Sequence, residues 1–174
     1  MAWKYYTLNQ DNRQFHSLDQ IAQKLVLDAW EKVVKDKNGK VVLDKKGRSK
    51  NALNQSFKMR EAVAYGLERF WGEHLRFQGK MKHPNDEFDI KSKYWKNTWD
   101  ALVSIMDTTG VIIPNDPVNF NRPNTVKEMA QKLWDLDIKD QRIILAVLTE
   151  LCDSIVWWTQ RYKGPGDLTI DEDN

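Results

Sequence analysis

Residues 140–162 read DQRIILAVLTELCDSIVWWTQRY, and this stretch decides the fold class. Ile143, Ile144, Val147, Leu148, Leu151, Ile155 and Trp158 recur at intervals of three and four, which is the spacing of one helical face and not the alternation of a strand. Leu145, Ala146, Cys152, Val156 and Trp157 add apolar surface on the other sides, so the helix is expected to be central. Asp140 is expected to cap its start, and Gly164-Pro165-Gly166 stops it. Glu150 and Asp153 break the run before it reaches the roughly 20 apolar residues that a membrane span needs.

Upstream the same period recurs. Ser17-Leu18-Asp19-Gln20 is a capping box opening a helix in which Leu18, Ile21, Leu25, Ala29 and Val33 share a face; it should fray near Lys35. A long helix is predicted over 52–78, with Leu53, Phe57, Ala64, Leu67, Trp71 and Leu75 on one stripe and Val63, Phe70 and Phe77 widening it. A third, near 89–108, places Trp95, Trp99, Leu102 and Met106 on one stripe. Gly110 ends it, and an extended connector with three prolines leads to a short helix opened by a second capping box at Thr125-Val126-Lys127-Glu128. The expected architecture is all-α: a single five-helix bundle over residues 1–166, without internal repeat, followed by an acidic, flexible tail at 167–174.

Residues 36–50 break the pattern. Asn38-Gly39 is a pair suited to a type I′ turn, Lys40 to Leu43 can return as a strand, and Asp44-Lys45-Lys46-Gly47 is a second turn. The segment is read as a protruding loop or small β-hairpin insertion. From Lys32 to Lys50 there are eight basic residues and two acidic ones. The whole chain of 174 residues is 41% hydrophobic and 30% charged, which favours neither a disordered chain nor a membrane protein, and its net charge is only +2. That sum hides an asymmetry, because residues 1–100 carry 20 basic and 13 acidic side chains and residues 101–174 carry 7 and 12. The single cysteine and the lack of a signal-peptide core near Met1 point to a reducing, cytoplasmic location without membrane partners.

The basic segment is the first candidate site. Lys37, Lys40, Lys45, Lys46, Arg48 and Lys50, helped by Arg60, Lys80, Lys82, Lys91 and Lys93, would neutralise the phosphates of RNA or single-stranded nucleic acid, releasing condensed counterions. Trp3, Tyr5, Tyr6, Tyr94 and Trp95 stand in basic or terminal contexts and are candidates for base stacking. The plainer alternative is a solvated lysine-rich turn. Tryptophan is also plentiful, at eight residues, and surface examples would anchor a protein neighbour.

Enzyme chemistry has weaker support. Arg69 to His74 is an Arg-x4-His and Arg76 to His83 an Arg-x6-His, similar to the Arg-x4–6-His spacing of the helical HEPN ribonucleases. That resemblance implies a histidine moving a proton at the 2′-hydroxyl or leaving oxygen and an arginine steadying phosphate charge. It also departs from the family, since Phe70 and Phe77 stand where HEPN motifs put a small polar residue. Glu73, His74, His83, Asp86, Glu87 and Asp89 cluster around one turn, yet no pair has the spacing of two metal ligands on one helical face, so no metal and no cofactor is expected. Cys152, on an apolar helix, reads as a small buried hydrophobe rather than a nucleophile.

With its helical build, its last helix closing on Trp157-Trp158, Arg161 and Tyr162, and its basic N-terminal half, the chain resembles the small subunits of multi-subunit CRISPR effector complexes. The resemblance is of architecture and composition. It implies a helical subunit that holds nucleic acid by its backbone inside an antiviral assembly, with no catalytic residue. The leading expectation is therefore a non-enzymatic nucleic-acid-binding subunit; the alternatives are a HEPN-like ribonuclease and a protein-only adaptor or scaffold.

Overall fold

In the computed structural model, which describes residues 16–163, the stretch read as one helix over 52–78 is two. The α-helices among the described residues are α1 (Leu18–Glu31), α2 (Gln55–Ala62), α3 (Leu67–Gln78), α4 (Glu87–Asp107), α5 (Pro123–Trp134) and α6 (Ile138–Tyr162), with a 3-10 turn at Val63–Tyr65. The all-α class holds, and no regular strand forms among these residues. There are six helices where five were expected. Gly66 causes the difference: its φ of 101° lies outside what a residue with a Cβ adopts, so the helix stops at the 3-10 turn and restarts in a new direction. The N-terminal arm with Trp3, Tyr5 and Tyr6, the Gly164-Pro165-Gly166 stop and the acidic tail at 167–174 lie outside the described residues.

Helix ends follow local chemistry, not always where the spacing put them. The Ser17 box forms as read: Ser17 Oγ accepts the Gln20 N–H at 3.2 Å and Gln20 Oε1 accepts the Ser17 N–H at 2.8 Å. At α5, Pro123 opens the helix instead of Thr125, whose hydroxyl donates back to the carbonyls of Asn119 and Arg122. At α6 the cap is Asp137 and not Asp140, with its carboxylate on the Lys139 N–H at 2.7 Å.

Two layers make the core. The pair α3 and α4 packs Phe70 against Trp95 and Trp99, with ring centroids 4.9 and 6.4 Å apart. Across from it α6 lies along α1 and α2, burying Ile144, Val147, Leu148, Leu151, Cys152 and Ile155. The predicted tryptophan stripe of α4 is buried along its whole length. Ile143 and Trp157, by contrast, face outward, so α6 is apolar on more sides than it buries. By length and composition α6 could cross a membrane (mean hydropathy 1.3), contrary to the expectation from Glu150 and Asp153. Here its apolar face is part of the bundle core.

The segment 33–51 carries an internal repeat that was not expected. Val33-Val34-Lys35-Asp36-Lys37-Asn38-Gly39-Lys40 and Val41-Val42-Leu43-Asp44-Lys45-Lys46-Gly47-Arg48 are one eight-residue unit in tandem. Three residues at that spacing close a hydrogen-bonded ring. The Val34 N–H donates to the Lys50 carbonyl (2.8 Å), that of Val42 to Val34 (2.9 Å) and that of Lys50 to Val42 (3.0 Å). Isolated antiparallel bridges, Lys35 with Val41, Leu43 with Ser49 and Val33 with Asn51, leave the ring as three short arms. The segment is thus a two-turn loop and not a single hairpin.

Gly66→Ala tests the break between α2 and α3. A Cβ at that φ should destabilise the protein by about 1–2 kcal/mol, read as a lowered denaturant midpoint. An unchanged midpoint would show that the break can be reached by another backbone path.

Candidate nucleic-acid interface

Each repeat ends in the same turn, organised by an aspartate. Asp36 Oδ1 accepts the N–H groups of Asn38 and Lys40 at 2.8 and 3.0 Å; Asp44 Oδ1 accepts those of Lys46 and Arg48 at 2.8 and 2.9 Å. Gly39 and Gly47 close the turns at φ of 79° and 75°. Asn38 has no positive φ, so the turn is not the expected type I′ but a three-residue loop closed by a left-handed glycine. The second turn is locked further, because Arg48 Nε and Nη2 donate to Asp44 Oδ2 at 2.9 and 2.7 Å. The Arg48 N–H and guanidinium hold the Asp44 carboxyl down at about 2, so it stays charged at any physiological pH.

The carboxylates face inward into their own turns, and the lysines face out. Lys37, Lys40, Lys45, Lys46 and Lys50 are all exposed. A second basic segment joins them, since the Lys35 N–H donates to the Asn85 carbonyl at 2.9 Å and so ties the first arm to the turn between α3 and α4. That turn carries exposed Lys80 and Lys82. It is held by Asp86, whose carboxylate accepts the N–H groups of Lys82, His83 and Asp89; although burial pushes its pKa up, these bonds outweigh it and keep the carboxyl below the ordinary range.

Other residues in the basic set are spent on the fold. Lys91 is buried and bonded to Glu87 at 2.5 Å, Lys93 pairs with Asp89 at 2.7 Å, and Arg60 pairs with Asp153 of α6. Arg48 serves its own turn. Periodicity could not separate these from the exposed lysines of the loop, although Lys91 and Lys93 each lie four residues after their acid on α4. Tyr94 and Trp95, read as stacking candidates, are buried in the core, with Trp95 Nε1 donating to Gln55.

The arginine–histidine pairs take separate partners. Arg69 lies over the Tyr65 ring at 5.7 Å, while His74 is buried, with Nδ1 against the Trp71 carbonyl and its ring edge-on to Trp71. Burial lowers the His74 pKa more than that carbonyl raises it. Arg76 bonds Glu73 at 2.8 Å and covers Phe77, whereas His83 sits in the following turn with Nδ1 3.2 Å from the Pro84 carbonyl. Asp86 and Asp89 are engaged as caps, and among the described residues no group of three His, Cys, Asp or Glu side chains is placed to hold a metal ion. Cys152 is buried, which pushes its thiol up to about 12.

No protein-family model, curated protein or solved structure matches the chain.

The His74 environment has a measurable consequence. Folded His74 resists the proton that the unfolded chain accepts near 6.5, so below that pH the unfolded state binds more protons and stability falls. Urea midpoints should therefore drop between pH 7.5 and 5.5, and the drop should shrink in His74→Gln. An identical drop in the variant would assign it elsewhere.

Proposed function

We propose that this chain is a non-enzymatic helical subunit of a larger assembly that binds RNA or single-stranded nucleic acid through the phosphate backbone. The observation that carries the reading is the pair of aspartate-locked turns, which hold Lys37, Lys40, Lys45 and Lys46 out from the helical body. Their two carboxylates are tied into the turns by backbone N–H groups and are outnumbered by the eight basic residues from Lys32 to Lys50, so the outward potential is positive. Lys50, and Lys80 and Lys82 in the turn bonded to the first arm, add exposed positive charge. Binding of this kind is sequence-independent, because lysines meet phosphates and not base edges.

Exposed aromatics support the subunit half of the reading. Trp30, Trp134 and Trp157 each present about half their surface to solvent, and Trp157 is held by the Arg161 guanidinium 3.6 Å above its ring. Rigid aromatic side chains of this sort anchor protein interfaces. The assembly that the resemblance implies is a cytoplasmic, CRISPR-type antiviral effector. Arg69, His74, Arg76 and His83 have no catalytic role in this reading.

Replacing Lys37, Lys40, Lys45 and Lys46 by alanine should weaken binding to single-stranded RNA at least tenfold at low salt. It should also flatten the plot of log affinity against log salt by about 3, at roughly 0.7 per lost phosphate contact. Lys91→Ala and Arg60→Ala should leave that slope unchanged. Unchanged binding in the quadruple variant would remove the basic loop from the interface.

A further inference from the structure

The ring at Val34, Val42 and Lys50 sends its three arms in different directions. One, at Val33 and Asn51, is the stalk that joins the helices; the other two, through Lys35–Val41 and Leu43–Ser49, end in the two basic turns. The turns are therefore not neighbours on one ribbon but the tips of two diverging prongs. At about 3.3 Å per extended residue each tip stands roughly 10 Å from the ring, and tips that diverge are about 15 Å apart. Consecutive phosphates of one strand are too close for both tips, so the tips would meet phosphates several nucleotides apart.

The chain between the prongs is residues 41–43. Side chains alternate along an extended segment, and Val42 packs against the core. Val41 and Leu43 are consequently turned outward, with Leu43 54% exposed. Two aliphatic side chains thus form a saddle flanked by lysine-bearing tips. A duplex offers such a saddle only phosphate and groove edges, whereas a single strand offers the flat apolar faces of unpaired bases.

We propose that the two turns and the saddle make one bipartite single-strand site. Lys37 and Lys40 hold phosphates at one tip, Lys45 and Lys46 hold phosphates several nucleotides along, and the intervening unpaired bases lie on Val41 and Leu43. The site rests on the phosphate-binding function proposed above and adds its strand class and minimum length.

The test is fluorescence anisotropy of the full chain with labelled oligouridylates of 2 to 12 nucleotides and with a 12-base-pair RNA duplex. Affinity should rise by tenfold or more over the few lengths at which the tips are first bridged, then grow only slowly. The double variants Lys37→Ala/Lys40→Ala and Lys45→Ala/Lys46→Ala should each remove that step. Leu43→Ser, at an exposed position, should lower single-strand affinity severalfold with the salt slope unchanged, and the duplex should bind more weakly than the 12-mer. A smooth rise with length, dependence on one turn alone, tighter duplex binding or an inert Leu43→Ser would each overturn the bipartite site. Those outcomes leave phosphate binding standing; failure of every oligonucleotide to bind overturns both.

Discussion

A buried chain of hydroxyls ties the three helices on which the rest is mounted. Thr159 Oγ1 of α6 donates to Ser56 Oγ of α2 at 2.7 Å, and Ser56 lies 2.8 Å from the phenol oxygen of Tyr94 on α4. One residue away Trp95 Nε1 donates to Gln55 Oε1 at 3.1 Å. Apolar faces alone let helices slide or rotate with little penalty, but a buried hydroxyl that loses its partner costs about 1–3 kcal/mol. The chain therefore selects one register for α2 against both layers. Burial of Tyr94 raises its pKa, so the phenol keeps its proton throughout the physiological range.

This junction also positions the basic segment. α2 begins four residues after Asn51, whose carboxamide accepts the Leu53 N–H at 3.1 Å, and Asn51 pairs with Val33 just beyond α1. The stalk of the two-pronged loop is thus attached at one end to α2, which the junction holds, and at the other to α1, which packs along α6. Within the prongs, aspartate and glycine set the turns, and Lys37, Lys40, Lys45 and Lys46 are exposed. Electrostatics separates into two ranges: carboxylates satisfied within a few ångströms by backbone N–H groups, and lysines whose field reaches outward to about a Debye length.

Much of the helical content was legible because it rests on local signals. The Ser17 capping box, the buried Trp95–Trp99–Leu102–Met106 stripe and the core face of α6 all follow from spacing and side-chain type. The break at Gly66 was not, since a glycine inside a helical period is often tolerated, and only the packing of α3 on α4 demands the turn there. Of the basic residues, Lys37, Lys40, Lys45 and Lys46 are exposed on the loop. Lys91, Lys93 and Arg60 are ion-paired, which spacing did not reveal for Arg60, because its partner Asp153 lies 93 residues along the chain. The eight-residue repeat is present in the sequence, but only the hydrogen bonds among Val34, Val42 and Lys50 make it a ring.

By itself, then, the sequence determined the all-α class, the capped starts and apolar faces of several helices, and the concentration of positive charge between α1 and α2. Those properties depend on neighbours three or four residues away, which a chain carries wherever it goes. Tertiary structure alone decided that the repeat closes into a ring, that its two turns diverge with Val41 and Leu43 between them, and which cations are already paired. These depend on groups brought together from distant parts of the chain, where a hydrogen bond or an ion pair is settled by geometry and not by spacing.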